Sequence, residues 1–102
     1  MADDGKIIEK IESKHDGRAQ VWIQKRQREV ADITDSITKG DYPSVAMMGG
    51  MIKKGAGNFG LTKISEFGEA LETAAKIKNS QKMKTLLAEY ADYIKRIVLD
   101  FE

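Results

Sequence analysis

Apolar residues recur along this chain at three- and four-residue steps, the period of a helix that buries one face. From about Arg18 to Lys39 the repeating positions are Trp22/Ile23, Val30, Ile33 and Ile37. Gly40-Asp41 then stops the stripe, because glycine is at ease in the left-handed conformation that ends helices. Pro43 suits the first turn of a second helix, where its missing N–H would have no intrahelical partner. That helix runs to about Gly55, with Val45, Met48/Gly49, Ile52 and Ala56 facing inward. A third starts at Thr62 or a neighbour and buries Ile64, Phe67, Leu71 and Ala75. Asn79-Ser80 breaks it, and Ser80 is placed to cap a last helix by accepting a backbone N–H. The apolar face of that helix, from Met83 and Leu86/Leu87 through Tyr90, Ile94 and Ile97, extends to Phe101. Ahead of all four, Ile7, Ile8 and Ile11 in GKIIEKIESK share one side of a short helix that Asp16-Gly17 interrupts. No strand and no internal repeat is expected.

Short connections between amphipathic helices imply antiparallel neighbours. The expected architecture is therefore all-α: an antiparallel up-and-down four-helix bundle over residues 18–102, preceded by a segment, residues 1–17, holding the short extra helix. A chain of 102 residues, 41% hydrophobic and 32% charged, has the composition of one globular domain with a single core. Its formal charge of +1 supplies no general attraction to nucleic acid or to an anionic membrane. With no cysteine and with His15 as the only histidine, thiolate chemistry is absent and an ordinary zinc site is not expected. The N-terminus has no apolar signal-peptide core and no run is long enough to span a bilayer, so a soluble cytoplasmic protein without a cofactor is expected.

One stretch invites a chemical reading. Gly55-Ala-Gly57-Asn-Phe-Gly60 has the spacing G-x-G-x-x-G of a loop that cradles phosphates. The dinucleotide version needs a buried strand before the glycines and an acid about 20 residues beyond them. Here the preceding MMGGMIKK is too polar and glycine-rich for such a strand, and AKIKNS stands where the acid should be. A Walker loop would end in Gly-Lys-Ser/Thr, whereas this one ends Phe-Gly-Leu-Thr. Gly57, Asn58 and Gly60 are instead expected to shape a tight turn between helices.

Gly40-Asp41-Tyr42 followed by MGGMIKKGAGNFGLTKISEFGEALETAA resembles the histidine-containing phosphotransfer (HPt) domain of bacterial phosphorelays. In that family a helix carries His-x-Leu/Met-Lys-Gly. A small-residue stretch ending in aromatic-Gly follows, then a helix ending near Leu-Glu-x-Ala-Ala. WIQKRQREV resembles the opening helix of such domains, and YADYIKRIVLDFE the closing one, so the resemblance covers residues 18–102 without gaps. It implies the HPt type of four-helix bundle. It also implies that the phosphorylatable histidine falls on Gly50, the buried apolar position on Ile52, the lysine on Lys53, and the family's glycine on Lys54.

Glycine has no side chain to accept a phosphoryl group, so no catalytic residue is expected. His15, in ESKHDGR, is followed by nothing like the Lys-Gly partner of the motif. Were Val45, Met48/Gly49, Ile52 and Ala56 to face the core, then Met47, Gly50, Met51 and Lys54 would lie toward solvent beside Lys53. Methionines are adaptable at binding surfaces, and these would form an apolar patch rimmed by positive charge. The implied partners are a response-regulator receiver domain or a histidine kinase, bound without phosphate transfer; nucleic acid and membrane are not expected as partners. The competing expectation is a helical scaffold or oligomerisation module unrelated to phosphorelays.

Overall fold

Four amphipathic helices form where the apolar stripes place them, and the chain ends depart from expectation. The computed structural model describes residues 5–102, with Asp16 described by its backbone alone. In order these are strand β1 (Ile7–Ile11), a 3-10 turn (Ser13–His15), helices α1 (Asp16–Thr38), α2 (Tyr42–Asn58), α3 (Thr62–Lys76) and α4 (Ser80–Arg96), and strand β2 (Ile97–Phe101). Each helix packs against its neighbours in sequence, and α4 closes the ring against α1. The predicted stripes supply most of the core: Ile23, Ile33 and Ile37 of α1, Val45, Ile52 and Ala56 of α2, Ile64, Phe67 and Leu71 of α3, and Met83, Leu87, Tyr90 and Ile94 of α4 are buried. Trp22, Val30 and Leu86 are only partly buried, and Ile11, Ala19, Leu61 and Ala74 join the core. Among the described residues no charged side chain is buried with them, and no helix is long and apolar enough to cross a membrane.

The short N-terminal helix does not form. Residues Ile7–Ile11 are a strand that pairs in parallel with Ile97–Phe101, Ile7 lying opposite Ile97 and Ile11 opposite Phe101. Isoleucines at 7, 8 and 11 fit a helical face, but Ile7, Glu9 and Ile11 fit one face of a strand equally well. Burial alternates along both segments, and both are rich in β-branched residues. What decides between the two periods is a partner at the far end of the chain, which no local pattern reveals. For the same reason α4 stops at Arg96 instead of running to Phe101: Ile97 turns to an extended backbone at φ −72°, ψ 138°. Backbone bonds from Glu102 to Ile11 (2.9 Å) and from Ser13 to Glu102 (3.0 Å) continue the pairing, and the Tyr93 hydroxyl donates to the Glu9 carboxylate. Asp16-Gly17 is likewise no break, since both residues belong to the first turn of α1.

The first three helices end in one hydrogen-bonding device, in which two backbone N–H groups beyond the helix reach back to carbonyls of its last turn. Gly40 donates to Ile37 and Asp41 to Ser36; Gly60 donates to Gly57 and Leu61 to Ala56; Lys78 donates to Ala75 and Asn79 to Ala74. The device needs a left-handed residue, and Gly40 (φ +73°) and Gly60 (φ +74°) supply it. At the third corner Lys78 takes the same conformation at φ +57°. The next helix then starts on a side-chain cap: Asp41 accepts from the Ser44 N–H at 3.3 Å, and Asn79, one residue before the expected Ser80, accepts from the Lys82 N–H at 3.0 Å. A left-handed non-glycine residue costs roughly 1–2 kcal/mol, partly offset in glycine by its greater freedom when unfolded. Lys78→Gly should therefore raise stability by about 0.5–1 kcal/mol, read by chemical denaturation; a loss of stability would contradict this account of the corner.

Candidate docking site

The site is set by how α2 meets α3. Gly49 and Gly68 let the two backbones touch: a Cβ on Gly49 would stand 2.7 Å from the Gly68 carbonyl oxygen, and one on Gly68 would stand 2.6 Å from that of Gly49. This contact, with Val45, Ile52 and Ala56 buried on the same face, fixes the rotation of α2. The opposite face then carries Met47 (62% exposed), Met51 (52% exposed) and the exposed Lys54. Between the two methionines the surface dips into a recess of about 260 Å³. Ala46 and Gly50, both half-buried, also line it, together with the polar side chains of Lys53, Lys54 and Glu72.

Glu72, which reaches across from α3, has no counterpart among the site residues expected from the sequence. Its carboxylate lies 3.6 Å from the Lys53 ammonium through one oxygen and 3.4 Å from that of Lys76 through the other. It also overhangs Gly50, where an added Cβ would meet the second of these oxygens at 3.4 Å. The Glu72–Lys76 pair was legible as an i,i+4 spacing; its reach over Gly50 depends on the helix crossing and was not. Lys53 is thus engaged within the fold, while Lys54 has no carboxylate partner among the described residues.

The expected site residues divide accordingly. Met47, Gly50, Met51, Lys53 and Lys54 come together around one recess. Gly57 and Asn58 do not shape a turn: they form the last turn of α2, and only Gly60 lies in the connection. Gly55 is also helical, and a Cβ there would collide with the Trp22 indole of α1. The three glycines of G-x-G-x-x-G thus serve a helix contact, an exposed helix end and a chain reversal, with helix rather than strand before them. His15 lies elsewhere, its ring edge-on to Phe59 with centroids 5.1 Å apart. The recess is lined by no histidine, hydroxyl or thiol. Its chemistry is that of a surface: two thioether arms, a glycine, one carboxylate held by two ammonium groups, and one uncommitted cation.

The chain matches no protein-family model, no curated protein and no solved structure.

Adjacent glycines with opposite surroundings give a direct check. Gly49→Ala forces a methyl group into backbone and should destabilise by about 1–3 kcal/mol, as should Gly68→Ala. Gly50→Ala meets only the tip of a flexible side chain and gains helix propensity worth up to roughly 1 kcal/mol, so it should be neutral or stabilising. Urea denaturation of the three variants reads this; equal losses at 49 and 50 would refute the placement of the helix.

Proposed function

We propose that this chain is a pseudo-phosphotransfer protein of HPt type, which docks onto a response-regulator receiver domain or a histidine kinase and passes no phosphate. The observation that carries the reading is that Gly50 lines a recess together with two exposed methionines, at the position the resemblance gives to the phosphorylatable histidine. Four helices packed in sequence order around one core are the scaffold this reading requires, and the antiparallel HPt topology belongs to the proposal.

Docking follows from the surface chemistry. A receiver presents an acidic, partly apolar face around its phosphorylation site. Met47 and Met51 adapt to apolar relief, and the Lys54 ammonium meets a carboxylate. Since Glu72 is bridged by Lys53 and Lys76, it adds little repulsion toward an acidic partner. With no acceptor at residue 50, such a complex holds or blocks the receiver without discharging it.

The test mixes the protein with a receiver carrying labelled phosphate. A complex without label on this chain is expected; transferred label would overturn the proposal. Met51→Glu and Lys54→Glu should each weaken binding about tenfold, or about 1.4 kcal/mol, and full retention in both would remove the proposed face. Gly50→His combined with Lys54→Gly should then let label transfer, provided Glu72 swings aside from the new ring.

A second reading, a scaffold unrelated to phosphorelays, draws on Ile8 (62% exposed) and Val98 (40% exposed), which stand opposite each other in the strand pair. It predicts self-association with rising concentration and no receiver binding, both measurable by light scattering of the same samples.

A further inference from the structure

A second concave surface lies where the start of α1 passes the C-terminal end of α2. It is a groove of about 690 Å³, a size within the roughly 300–1,000 Å³ of ordinary ligand sites. Its apolar part is Val21, Trp22 and Phe59, and its charged part is Lys14, Arg18 and Lys25. None of these lines the recess around Gly50.

The apolar part is held firmly. The Trp22 and Phe59 rings lie 5.9 Å apart between centroids at 59°, and Gly55 of α2 makes the space in which the indole rests. Val21, by contrast, is 50% exposed on an otherwise polar helix face. The charged part is one-signed, because no residue lining the groove is acidic. Lys14 has only an exposed pairing with Glu12 at 3.7 Å, which water screens, and Lys25 has no carboxylate partner among the described residues. In a chain whose formal charge is +1, three cations around an aromatic–aliphatic floor are a local concentration.

We infer that this groove binds an acidic peptide segment carrying an aromatic or aliphatic anchor. The anchor covers Val21 and packs beside Trp22 and Phe59, removing apolar area from water without needing an open ring face. Flanking carboxylates engage Arg18 and Lys25. A nucleic-acid base fits less well, since it needs an open ring face to stack on. Trp22 carries the Arg26 guanidinium over its ring at 5.1 Å, and Phe59 is already contacted by Trp22 and His15. A bilayer gains little from a surface on which Val21 is the one well-exposed apolar side chain. The inference is independent of the phosphotransfer reading, because the two surfaces share no lining residue.

Trp22 is the chain's only tryptophan, so its emission reports on the groove directly. The probe is the acetylated peptide Asp-Glu-Phe-Asp-Glu-Leu-Glu-Asp, titrated by fluorescence and, in parallel, by calorimetry to detect binding that leaves emission unchanged. Saturable binding that weakens with added salt is expected. It should fall about tenfold or more in the double variant Arg18→Glu, Lys25→Glu, whose side chains are exposed, and stay unchanged in Lys84→Glu, an exposed position on α4 outside both surfaces. It should also fall about tenfold when Ser replaces Phe and Leu in the peptide. Absence of binding by both methods would overturn the inference, as would equal binding of the Ser peptide. Binding that is undiminished in the double variant would do the same, and so would tighter binding of a single-stranded oligonucleotide or of phosphatidylglycerol vesicles.

Discussion

The backbone contact between Gly49 of α2 and Gly68 of α3 is the constraint on which the other surfaces depend. Side chains at either position would separate the helices, so the two glycines set both the distance and the rotation of α2. Because residues on one helix are locked in phase, fixing Gly49 inward also fixes Met47, Met51 and Lys54 outward. It brings Glu72 close enough to lie over Gly50, and it leaves the other flank of α2 for Gly55 to receive Trp22 from α1. Both candidate binding surfaces are thus set by one contact that takes part in neither.

The two glycines of the GG pair are chemically identical and do opposite work. Gly49 is required by its neighbours, as the α2–α3 contact shows. Gly50 is required by nothing packed against it except the end of the Glu72 side chain, and a glycine inside a helix carries a conformational cost. A position that bears that cost without a packing reason is one where function, present or lost, is a reasonable place to look. The pseudo-phosphotransfer proposal draws its weight from there.

Most of the helical architecture was legible because each stripe is long and amphipathic, and the corners carry recognisable terminators such as Gly40-Asp41. Spacing places Val45, Ile52 and Ala56 inward and leaves Met48 or Gly49 between them; the backbone contact with Gly68 selects Gly49, and the outward methionines follow. Two of the departures share one physical reason, namely dependence on distant partners. Ile7, Ile8 and Ile11 satisfy two periods at once, and only pairing with Ile97–Phe101 selects the strand. Glu72 joined the site across a helix crossing that a linear reading does not contain. The third departure is local: glycine favours turns, yet the helix continues through Gly57 and Asn58 until Gly60 provides the reversal.

The strand pair that defeated the local reading also bears on the order of assembly. Its two members are the most widely separated elements of the described chain, so meeting early would mean closing a very long loop for the return of a few ladder bonds. Once the helices have packed in a ring, the start of α1 and the end of α4 are held together and the pairing costs little more. The sheet therefore works as a latch that closes on a bundle already formed, and a short two-stranded ribbon of this kind is also where the native state can open without dismantling the core.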